Sequence, residues 1–531
     1  MVTSLVTDPE NIDQNILSSK FRELQGLLRE RWHKLESSLE DDSDILVIPS
    51  LSLDQEQLEK VAGVHHYEER HLFSLIRLRN PKTRLIYVTS QPLHPSVIDY
   101  YLQLLPGVPF SHARERLLLL STYDASKRAL TDKILERPRL MERINLALRS
   151  NRSYMICFNA TERERELSVR LNIPLWAPDP DLSYWGTKSG SRQIFAECDI
   201  PHPDGSHLVR NTDDLAIATD ELWGRQPQLK RVVIKLNESF SGEGNAVLDL
   251  RPLQNFSHRQ RLKKIQEYFS KMNFQAKGET WQTFRERIPE LGAIVEAFIE
   301  GENKRSPSVQ CRISPDQTVE ILSTHDQILG GPDGQIFLGC TFPADDSYRL
   351  ALQELGMRIG ENLASKGALE RFGVDFVAVQ DGEKWSCQAI EINLRRGGTT
   401  HPFMTLKLLT NGHYDLNTGL FYCKHHKPKY YKATDNLQKN QYRGLLPNDL
   451  MDIIAHHHLH FDTSTETGTI FHLMGCLSQY GKLGLTTIGN SPAEAEALFA
   501  QVENALDAET SHDQSWGLQP QNSITWQGKP Q

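Results

Sequence analysis

The chain has 531 residues, of which 39% are hydrophobic and 24% charged, and its formal net charge is −9 at pH 7. This length exceeds what a single hydrophobic core supports, so we expect two to four domains of an ordinary globular protein. The acidic balance argues against a nucleic-acid-binding role, and neither a membrane-spanning apolar run nor a signal-peptide pattern at the start MVTSLVTDPENID is found.

The seven cysteines stand singly along the sequence, without C-x-x-C spacing. An odd number of isolated cysteines, most of them in apolar strand-like runs, is typical of reduced thiols. We therefore expect a cytoplasmic protein.

The first third of the chain alternates predicted helices with short apolar strands. It opens with the amphipathic stretch KFRELQGLLRERWHKLESSLE, and the strand-like runs are DILVIPSL, RLIYVTS, RLLLLST and YMICFNA. This alternation predicts a parallel sheet covered by helices. The proline- and aspartate-rich stretch IPLWAPDPDL predicts a linker, so we assign an α/β domain to residues 1–180.

The middle third begins with two lysines in different settings. Lys188 lies in YWGTKSGSRQIFAECDIPHPDG, and Lys235 lies in the apolar strand of RVVIKLNESFSGEGNAVL, just before a loop with Ser241, Gly242 and Gly244. Glycines let backbone N–H groups approach phosphate oxygens, and a strand-borne lysine adds a fixed positive charge. The loop is not a Walker A sequence, and by themselves these features are more often a β-turn and a solvated lysine.

A later strand, in AIVEAFIEGENK, ends in acidic residues. Such a strand can present backbone groups to an adenine and carboxylates to a ribose. An ordinary core strand with a polar end is the alternative, and in isolation it is the commoner case.

The stretch AIEINLRRGGTTHP places Glu391 and Asn393 on one face of a strand, because alternate strand residues point the same way. Upstream, a hairpin signal at Asp381-Gly382 could bring Asp375 beside Glu391. Three such oxygen-bearing side chains suit Mg²⁺. A two-residue loop at Asp381-Gly382 would put Asp375 on the opposite face, so the metal interpretation requires an odd loop or a β-bulge. Taken alone, Glu-x-Asn is more often a polar edge beside a core strand.

The last third contains GTIFHLMGCLSQYGKLGLTTIG, which predicts two short strands, and NSPAEAEALFAQVENAL, which predicts a helix. Ser491 as N-cap, Pro492 as first helical residue and Glu494 form a predicted capping box. We assign a small α+β domain to residues 416–508 and a disordered tail to the polar residues 509–531.

Three histidine-rich segments, HHYEERH, CKHHKPKYYK and AHHHLHF, require separate consideration. His66 and His71 are five residues apart, which is wrong for one helix face, so a structural or interdomain role is favoured over zinc binding. The other two segments could form a zinc site only if folding brought them together, and no short Cys/His spacing supports that. For CKHHKPKYYK we expect a solvated basic face, with a substrate channel as the alternative.

Taken in order, these features resemble the ATP-grasp superfamily, in which ATP lies between two α+β subdomains. The resemblance covers roughly residues 182–415, and we assign the ATP-grasp domain to residues 181–415. It implies that Lys188 and Lys235 bind phosphates and that the loop of Ser241, Gly242 and Gly244 is a flap over them.

The resemblance also implies an adenine hinge around Glu296 that includes Phe298 and Glu302, and Mg²⁺ ligation by the three oxygen-bearing side chains described above. One departure concerns the catalytic arginine, because some amide-forming members carry an arginine where this chain has Gly373. Arg395 and Arg396 are therefore both candidates for that catalytic charge.

The flanking stretches GVHHYEERHLFSLIRLRNPKTRLIYVTSQPLHP and TGTIFHLMGCLSQYGKLGLTTIGNSPAEA resemble the pheganomycin-type peptide ligase family. The implied fold class is a multidomain α/β and α+β protein, with a parallel-sheet pre-ATP-grasp domain, an ATP-grasp fold and a small C-terminal domain.

The implied activity is a carboxylate–amine ligase that uses ATP and one or two Mg²⁺ ions and makes an amide bond through an acyl phosphate, releasing ADP and phosphate. The expected partners are small-molecule carboxylates and amines or peptides, with no nucleic acid and no membrane, and a homo-oligomer stays open. An ATP-grasp small-molecule kinase and a non-catalytic nucleotide-binding protein are the alternatives.

Overall fold

The computed structural model describes residues 14–36, 41–53, 55–105, 107–239, 242, 244–331 and 334–511. Among these residues, no helix has the length and apolar character needed to cross a membrane. Each of the seven cysteines is a free thiol, as the sequence predicts.

The helices and strands follow one another along the described chain as set out here. The α-helices are α1 (Gln14–Glu36), α2 (Gln55–Lys60), α3 (Pro95–Gln103), α4 (Phe110–Glu115), α5 (Leu130–Leu135), α6 (Pro138–Ala147), α7 (Glu162–Leu171), α8 (Lys188–Glu197), α9 (Thr212–Arg225), α10 (His258–Tyr268), α11 (Trp281–Leu291), α12 (Arg349–Ser365), α13 (Thr400–Thr410), α14 (Pro447–His456), α15 (Leu477–Tyr480) and α16 (Pro492–Thr510). The strands are β1 (Asp44–Ile48), β2 (Arg84–Thr89), β3 (Leu117–Ser121), β4 (Ser153–Cys157), β5 (Arg231–Leu236), β6 (Asn245–Asp249), β7 (Asn273–Phe274), β8 (Ala293–Ala297), β9 (Lys304–Arg305), β10 (Pro307–Ile313), β11 (Val319–Gly330), β12 (Ile336–Phe342), β13 (Glu370–Asp381), β14 (Lys384–Asn393), β15 (His413–Asp415), β16 (Leu420–Tyr422), β17 (Pro428–Gln438), β18 (Gly468–His472) and β19 (Lys482–Gly489).

The N-terminal part is the predicted parallel sheet. Its strands lie in the order β3-β2-β1-β4, all neighbours being parallel. The amphipathic helix α1 buries Phe21 and Leu24, and it packs on α7. The segment from Val64 to Arg79 is a 3₁₀ helix whose charged residues are largely buried. Arg70 belongs to this segment and is buried.

The middle of the chain forms two antiparallel sheets. A small sheet has the order β7-β6-β5-β8, and α9, α10 and α11 pack around it. A large sheet begins β14-β13-β10-β11-β12, and α12 packs on β10 and β11. A cavity lies between these two sheets and is also lined by N-terminal residues.

The large sheet continues across the predicted domain boundary at residues 415 and 416. β17 pairs with β12 on one side and with β19 on the other, and β18 pairs with β19. The C-terminal segment therefore extends the same sheet, although its two predicted strands are present as β18 and β19. The predicted fold class, a multidomain α/β and α+β protein, is confirmed.

The last helix confirms its predicted start and corrects its details. Ser491 is the N-cap and accepts a hydrogen bond from the Glu494 N–H at 3.1 Å, but the Glu494 side chain accepts from Asn490 rather than from Ser491. The Glu494 side chain therefore contacts the backbone of the residue before the N-cap, and not the backbone of the N-cap itself. α16 runs to Thr510, two residues into the predicted disordered tail, and residues 512–531 lie outside the described chain.

Candidate active site

The hairpin of β13 and β14 brings the predicted oxygen ligands together. Asp375 pairs directly with Glu391, whereas the next residue, Phe376, pairs with Ala389. Ile390 is therefore an extra residue that forms a β-bulge, and it restores Glu391 to the face of Asp375. The predicted irregularity is confirmed as a bulge, which lies beside the site rather than at the turn.

Asp375, Glu391 and Asn393, which we call the oxygen cluster, lie on one face of this hairpin. Asn393 Nδ2 donates to Asp375 Oδ2 at 2.9 Å, and Gln327 Nε2 of β11 donates to Asp375 Oδ1 at 2.6 Å. Burial, together with the neighbouring Glu391 carboxylate, raises the pKa of Asp375 to about 7. The ionised form of Asp375 is thus disfavoured first by burial and second by the adjacent carboxylate.

This donor set fits a hard divalent cation. Two carboxylates and a side-chain amide supply only oxygen ligands on one face, which is what Mg²⁺ prefers. A bound cation would also relieve the repulsion that raises the pKa of Asp375.

Lys188, the first residue of α8, is buried against the oxygen cluster. Its Nζ donates to Glu391 Oε1 at 3.2 Å and to the Ser239 carbonyl at 2.9 Å, at the start of the glycine-containing loop. Burial lowers the pKa of Lys188, although the Glu391 carboxylate opposes that shift. The lysine is thus a cation held between the cluster and the loop.

Lys235 on β5 lies within a second buried ionic group. Its Nζ is 2.5 Å from Glu296 Oε2 on β8, and Arg192 Nη1 donates to Glu296 Oε1 at 3.1 Å. Burial alone would raise the pKa of Glu296, but the two cations lower it. The Glu296 side chain therefore holds Lys235 in place, and Glu296 also lines the cavity described below.

The glycine-containing loop approaches the large sheet closely. Gly242 has φ +75°, and a Cβ there would lie 2.3 Å from the Gln335 carbonyl oxygen, so no other residue fits without a shift. A Cβ on Gly244 would lie 2.2 Å from Ser239 Cβ. Gly242 lines the cavity, whereas Ser241 lies outside the described residues.

The two candidate arginines point to different places. Arg395 Nη2 donates to Asn393 Oδ1 at 2.7 Å, and Arg395 lines the cavity. Arg396 is buried, and its Nη2 donates at 2.9 Å to Oε1 of Glu370, the first residue of β13. Because Arg396 is absent from the cavity lining, the prediction that it is a catalytic cation does not fit the structure.

The cavity has a volume of about 820 Å³ and is lined by both middle sheets. Phe298, just after β8, lines it, and the Arg231 guanidinium stacks on the Phe298 ring at 3.9 Å. Glu302 is exposed and does not line the cavity. Of the predicted hinge residues, Glu296 and Phe298 thus line the cavity and Glu302 does not.

The cavity continues toward the N-terminal and C-terminal segments along a row of alternating cations and rings. Arg395 lies 5.8 Å from the Phe158 ring, and Arg70 lies 4.8 Å from that ring and 4.6 Å from the Tyr67 ring. Lys482 Nζ donates to the Tyr67 hydroxyl at 2.6 Å. We call these residues the cation–aromatic wall. It gives this end of the cavity positive charge and flat apolar surfaces.

Sequence reasoning missed several of these residues. Arg70 and Lys482 lie in segments for which no substrate contact was predicted, and Gln327 orients a predicted metal ligand from a strand given no role. A signal for Gln327 existed, because it ends a run of five polar residues, STHDQ, inside the otherwise largely apolar strand β11. No local pattern marks Arg70, since its position depends on packing of three distant segments.

Comparison with known proteins agrees with this geometry. Residues 180–278 and 258–417 match the family model described as IQCH-like, ATP-grasp, and residues 449–502 match the PGM1 C-terminal domain. L-propargylglycine–L-glutamate ligase from Streptantibioticus cattleyicolor is 29% identical over 485 residues, covering 90% of this chain and 96% of that protein.

Two solved structures share the fold. The biotin carboxylase of Campylobacter jejuni aligns with a TM-score of 0.53 at 12% identity, over 88% of this chain and 91% of that one. The biotin carboxylase domain of the Hydrogenobacter thermophilus 2-oxoglutarate carboxylase aligns with a TM-score of 0.52 at 11% identity, over 87% and 89% of the two chains. The family-model match and the shared fold agree with the sequence prediction that residues 180–417 contain an ATP-grasp domain.

Proposed function

We propose that this protein is an ATP-dependent carboxylate–amine ligase that forms a peptide or peptide-like bond. The observation that carries the proposal is that the oxygen cluster and Arg395 form one wall of a large cavity, while Lys188 contacts Glu391 of that cluster. The relative that matches 90% of this chain is named as a ligase of L-propargylglycine and L-glutamate, which supports the reaction class.

ATP and Mg²⁺ are the cofactors of this proposal, with one or two ions. The H. thermophilus domain that shares the fold was crystallised with MgADP, ADP and bicarbonate. In this chain, Lys188 and Lys235 would bind phosphates, and the oxygen cluster would hold the metal. Phe298 would contact the adenine, while the loop containing Gly242 would cover the phosphates.

The residues of the site divide the reaction between positioning and charge stabilisation. Mg²⁺, when bound, neutralises phosphate charge. The substrate carboxylate attacks the γ-phosphorus of ATP and ADP leaves, giving an acyl phosphate. The amine then attacks the acyl carbon, and phosphate leaves while the amine loses a proton. Lys188, Lys235 and Arg395 stabilise the developing charge, and loop closure would keep water from the acyl phosphate.

The cation–aromatic wall is the surface that we assign to the acid substrate. Arg70 and Lys482 supply positive charge beyond Arg395, and the Tyr67 and Phe158 rings supply flat apolar contacts. A carboxylate placed between Arg395 and Arg70 would lie next to the proposed phosphate site. This arrangement favours acids that carry a second anionic group for the Lys482 end.

The domain assignments 1–180, 181–415 and 416–508, and a cytoplasmic location, belong to the same proposal. All three segments contribute to the cavity lining, which supports the idea that they work as one catalytic unit. The free thiols fit a reducing compartment.

A screen of amino acids and peptides with ATP and Mg²⁺ tests the proposal. The expected result is that one acid gives ADP and orthophosphate with a suitable amine, and a hydroxamate when hydroxylamine replaces the amine. A stable phosphorylated product, without orthophosphate or hydroxamate, would contradict the ligase and favour a small-molecule kinase. Nucleotide binding without turnover on any acid would favour a non-catalytic binder.

A further inference from the structure

A second group of ligand-type side chains lies beside the cavity, where three elements meet. It consists of His401 on α13, Asp435 on β17 and His472 on β18, and we call it the His–Asp–His cluster. Each of the three residues is at least 95% buried, with exposed fractions of 5%, 5% and 3%. Asp435 also lines the cavity.

The three polar atoms of this cluster converge on one point. His472 Nε2 lies 2.6 Å from Asp435 Oδ1, His401 Nε2 lies 3.2 Å from the same oxygen, and the two Nε2 atoms are 3.0 Å apart. Every pair in this triangle is at hydrogen-bond distance. Polar atoms this close together need protons or a cation between them, because their lone pairs otherwise repel one another.

Protons on neutral imidazoles cannot satisfy all three contacts. If both histidines carry the proton on Nε2, both can donate to Asp435 Oδ1, but the two N–H groups then point at each other. If one Nε2 lacks the proton, it can accept from the other histidine, but its lone pair then faces the carboxylate oxygen. A single cation between the atoms attracts all three.

The three side chains are all of metal-ligand types, because a neutral imidazole and an ionised carboxylate bind metals without first releasing a proton.

Neighbouring residues fix the positions of the cluster side chains. Arg70 Nη1 donates to Asp435 Oδ2 at 3.2 Å, so the oxygen that does not face the histidines is held by a second partner. Such outer contacts orient ligands in metal sites. A Cβ on Gly484 would lie 2.2 Å from His472 Nε2, so glycine at this position lets the imidazole pack directly against the β19 backbone.

We propose that the His–Asp–His cluster binds one Zn²⁺ ion. Two imidazole nitrogens and one carboxylate oxygen are a common zinc donor set, and neighbouring ligands of a tetrahedral zinc lie about 3.3 Å apart. The atoms of the cluster reach that separation by moving a few tenths of an ångström. The fourth position is left for water or a substrate group from the cavity that Asp435 lines.

The ion would join three elements that are distant in the sequence and would set the position of Arg70. Through Asp435 the ion would hold the guanidinium of Arg70, which belongs to the cation–aromatic wall. The inference does not depend on the proposed ligase activity, because the site is defined by its ligands. Its failure and that of the proposed function are therefore separate results.

Metal analysis of the full chain tests the site. Protein made without a histidine tag is incubated with Zn²⁺ in the presence of excess Mg²⁺ to occupy the oxygen cluster, and is then freed of unbound metal. We expect about one zinc per chain by mass spectrometry of metals. His401→Gln, Asp435→Asn and His472→Gln should each lower the zinc content at least about tenfold.

A matched control is available on the surface. His456, His457 and Glu509 also lie within ligating distance of one another but are more exposed, so His457→Gln should keep the zinc. Zinc retained in His472→Gln, zinc lost in His457→Gln, or wild-type protein that takes up no zinc would each overturn the proposal.

A measurement on the wild-type protein guards against misfolded variants. X-ray absorption at the zinc edge should show only nitrogen and oxygen neighbours, including the outer-shell pattern of two imidazoles. Sulfur in the first shell would overturn the assignment, because it would place the ion on cysteines.

Discussion

The oxygen cluster lines the cavity and the His–Asp–His cluster reaches it through Asp435, but the chain builds the two clusters in different ways. The members of the oxygen cluster belong to one hairpin and span 18 residues. The two histidines of the other cluster are 71 residues apart and come from separate elements, with Asp435 on a third. Short-range patterns can therefore predict the first cluster, whereas the second exists only after long-range packing.

The two clusters also differ in charge. In the oxygen cluster the pKa of Asp375 is raised to about 7, because burial and a second carboxylate disfavour its charge. In the His–Asp–His cluster the pKa of Asp435 is held low by its cationic and imidazole neighbours. The first suits a hard cation that arrives with a nucleotide, and the second suits a borderline cation that stays bound.

The largest effect is expected at Glu391. Glu391→Gln removes a charge but keeps the shape, so turnover should fall by at least about 10²–10³-fold while the melting temperature changes little. Glu383→Gln, an exposed position in the turn of the same hairpin, is the control and should be fully active. Steady-state ADP release measures both, and a Glu391→Gln variant with near-normal rates would remove Glu391 from the site.

The adjacent arginines provide a contrast of function against stability. Arg395→Gln should lower turnover by about 10²-fold or more, because Arg395 lines the cavity beside the oxygen cluster. Arg396→Gln should instead lower the free energy of unfolding by about 3–5 kcal/mol, because it leaves Glu370 buried with one partner fewer. Urea titration and rate measurements on both variants check this. Equal losses of activity in two stably folded variants would contradict the separation.

Much of this organisation was predictable because it is local. The four parallel strands, the α1 helix and the β18–β19 pair follow from apolar runs and periodicity. The parity of the hairpin showed that the metal interpretation needs an odd loop or a bulge, and the structure has a bulge at Ile390. Lys188 and Glu391 were assigned to one site from their order in the chain, and their side chains are in contact.

The rest depended on packing between distant segments. The continuation of the sheet from β12 into β17 was not predicted, because backbone pairing between distant strands leaves no signal in the sequence. Arg396 resembles Arg395 in sequence, but the chain turns between them, so one faces the cavity and the other Glu370. His401 and His472 each stand alone in the sequence, and only the fold brings them to Asp435.

A smaller effect is expected in the pH dependence of protein stability, to which Asp375 of the oxygen cluster should contribute. The pKa of Asp375 rises from 3.8 to about 7 on folding, so between these values the folded protein binds the extra proton. Without metal, stability should therefore fall as pH rises from about 4 to about 7, and the full penalty remains above pH 7. Asp375→Asn should melt a few degrees higher than the wild-type protein at pH 8 and equally at pH 4.

The control for this comparison is added Mg²⁺. The ion stabilises the charged form of Asp375, so it should raise the melting temperature of the wild-type protein at pH 8 but not that of Asp375→Asn. Thermal melts in chelator and in Mg²⁺ measure this. An Asp375→Asn variant that is less stable than the wild-type protein at pH 8 in chelator would contradict the raised pKa.

The smallest effect is expected at Lys482, on the side of the cavity nearest the His–Asp–His cluster. Lys482 Nζ donates to the Tyr67 hydroxyl, and its charge lies in the cation–aromatic wall. Lys482→Met keeps the length of the side chain and removes the charge. The KM for the acid substrate should then rise about tenfold, roughly 1.4 kcal/mol, with little change in the KM for ATP.

Lys432→Met is the control, because Lys432 pairs with Glu496 away from the cavity lining and should leave both constants unchanged. An equal rise in both KM values for Lys482→Met would assign Lys482 to general stability of the cavity, and no change would remove the acid substrate from this wall.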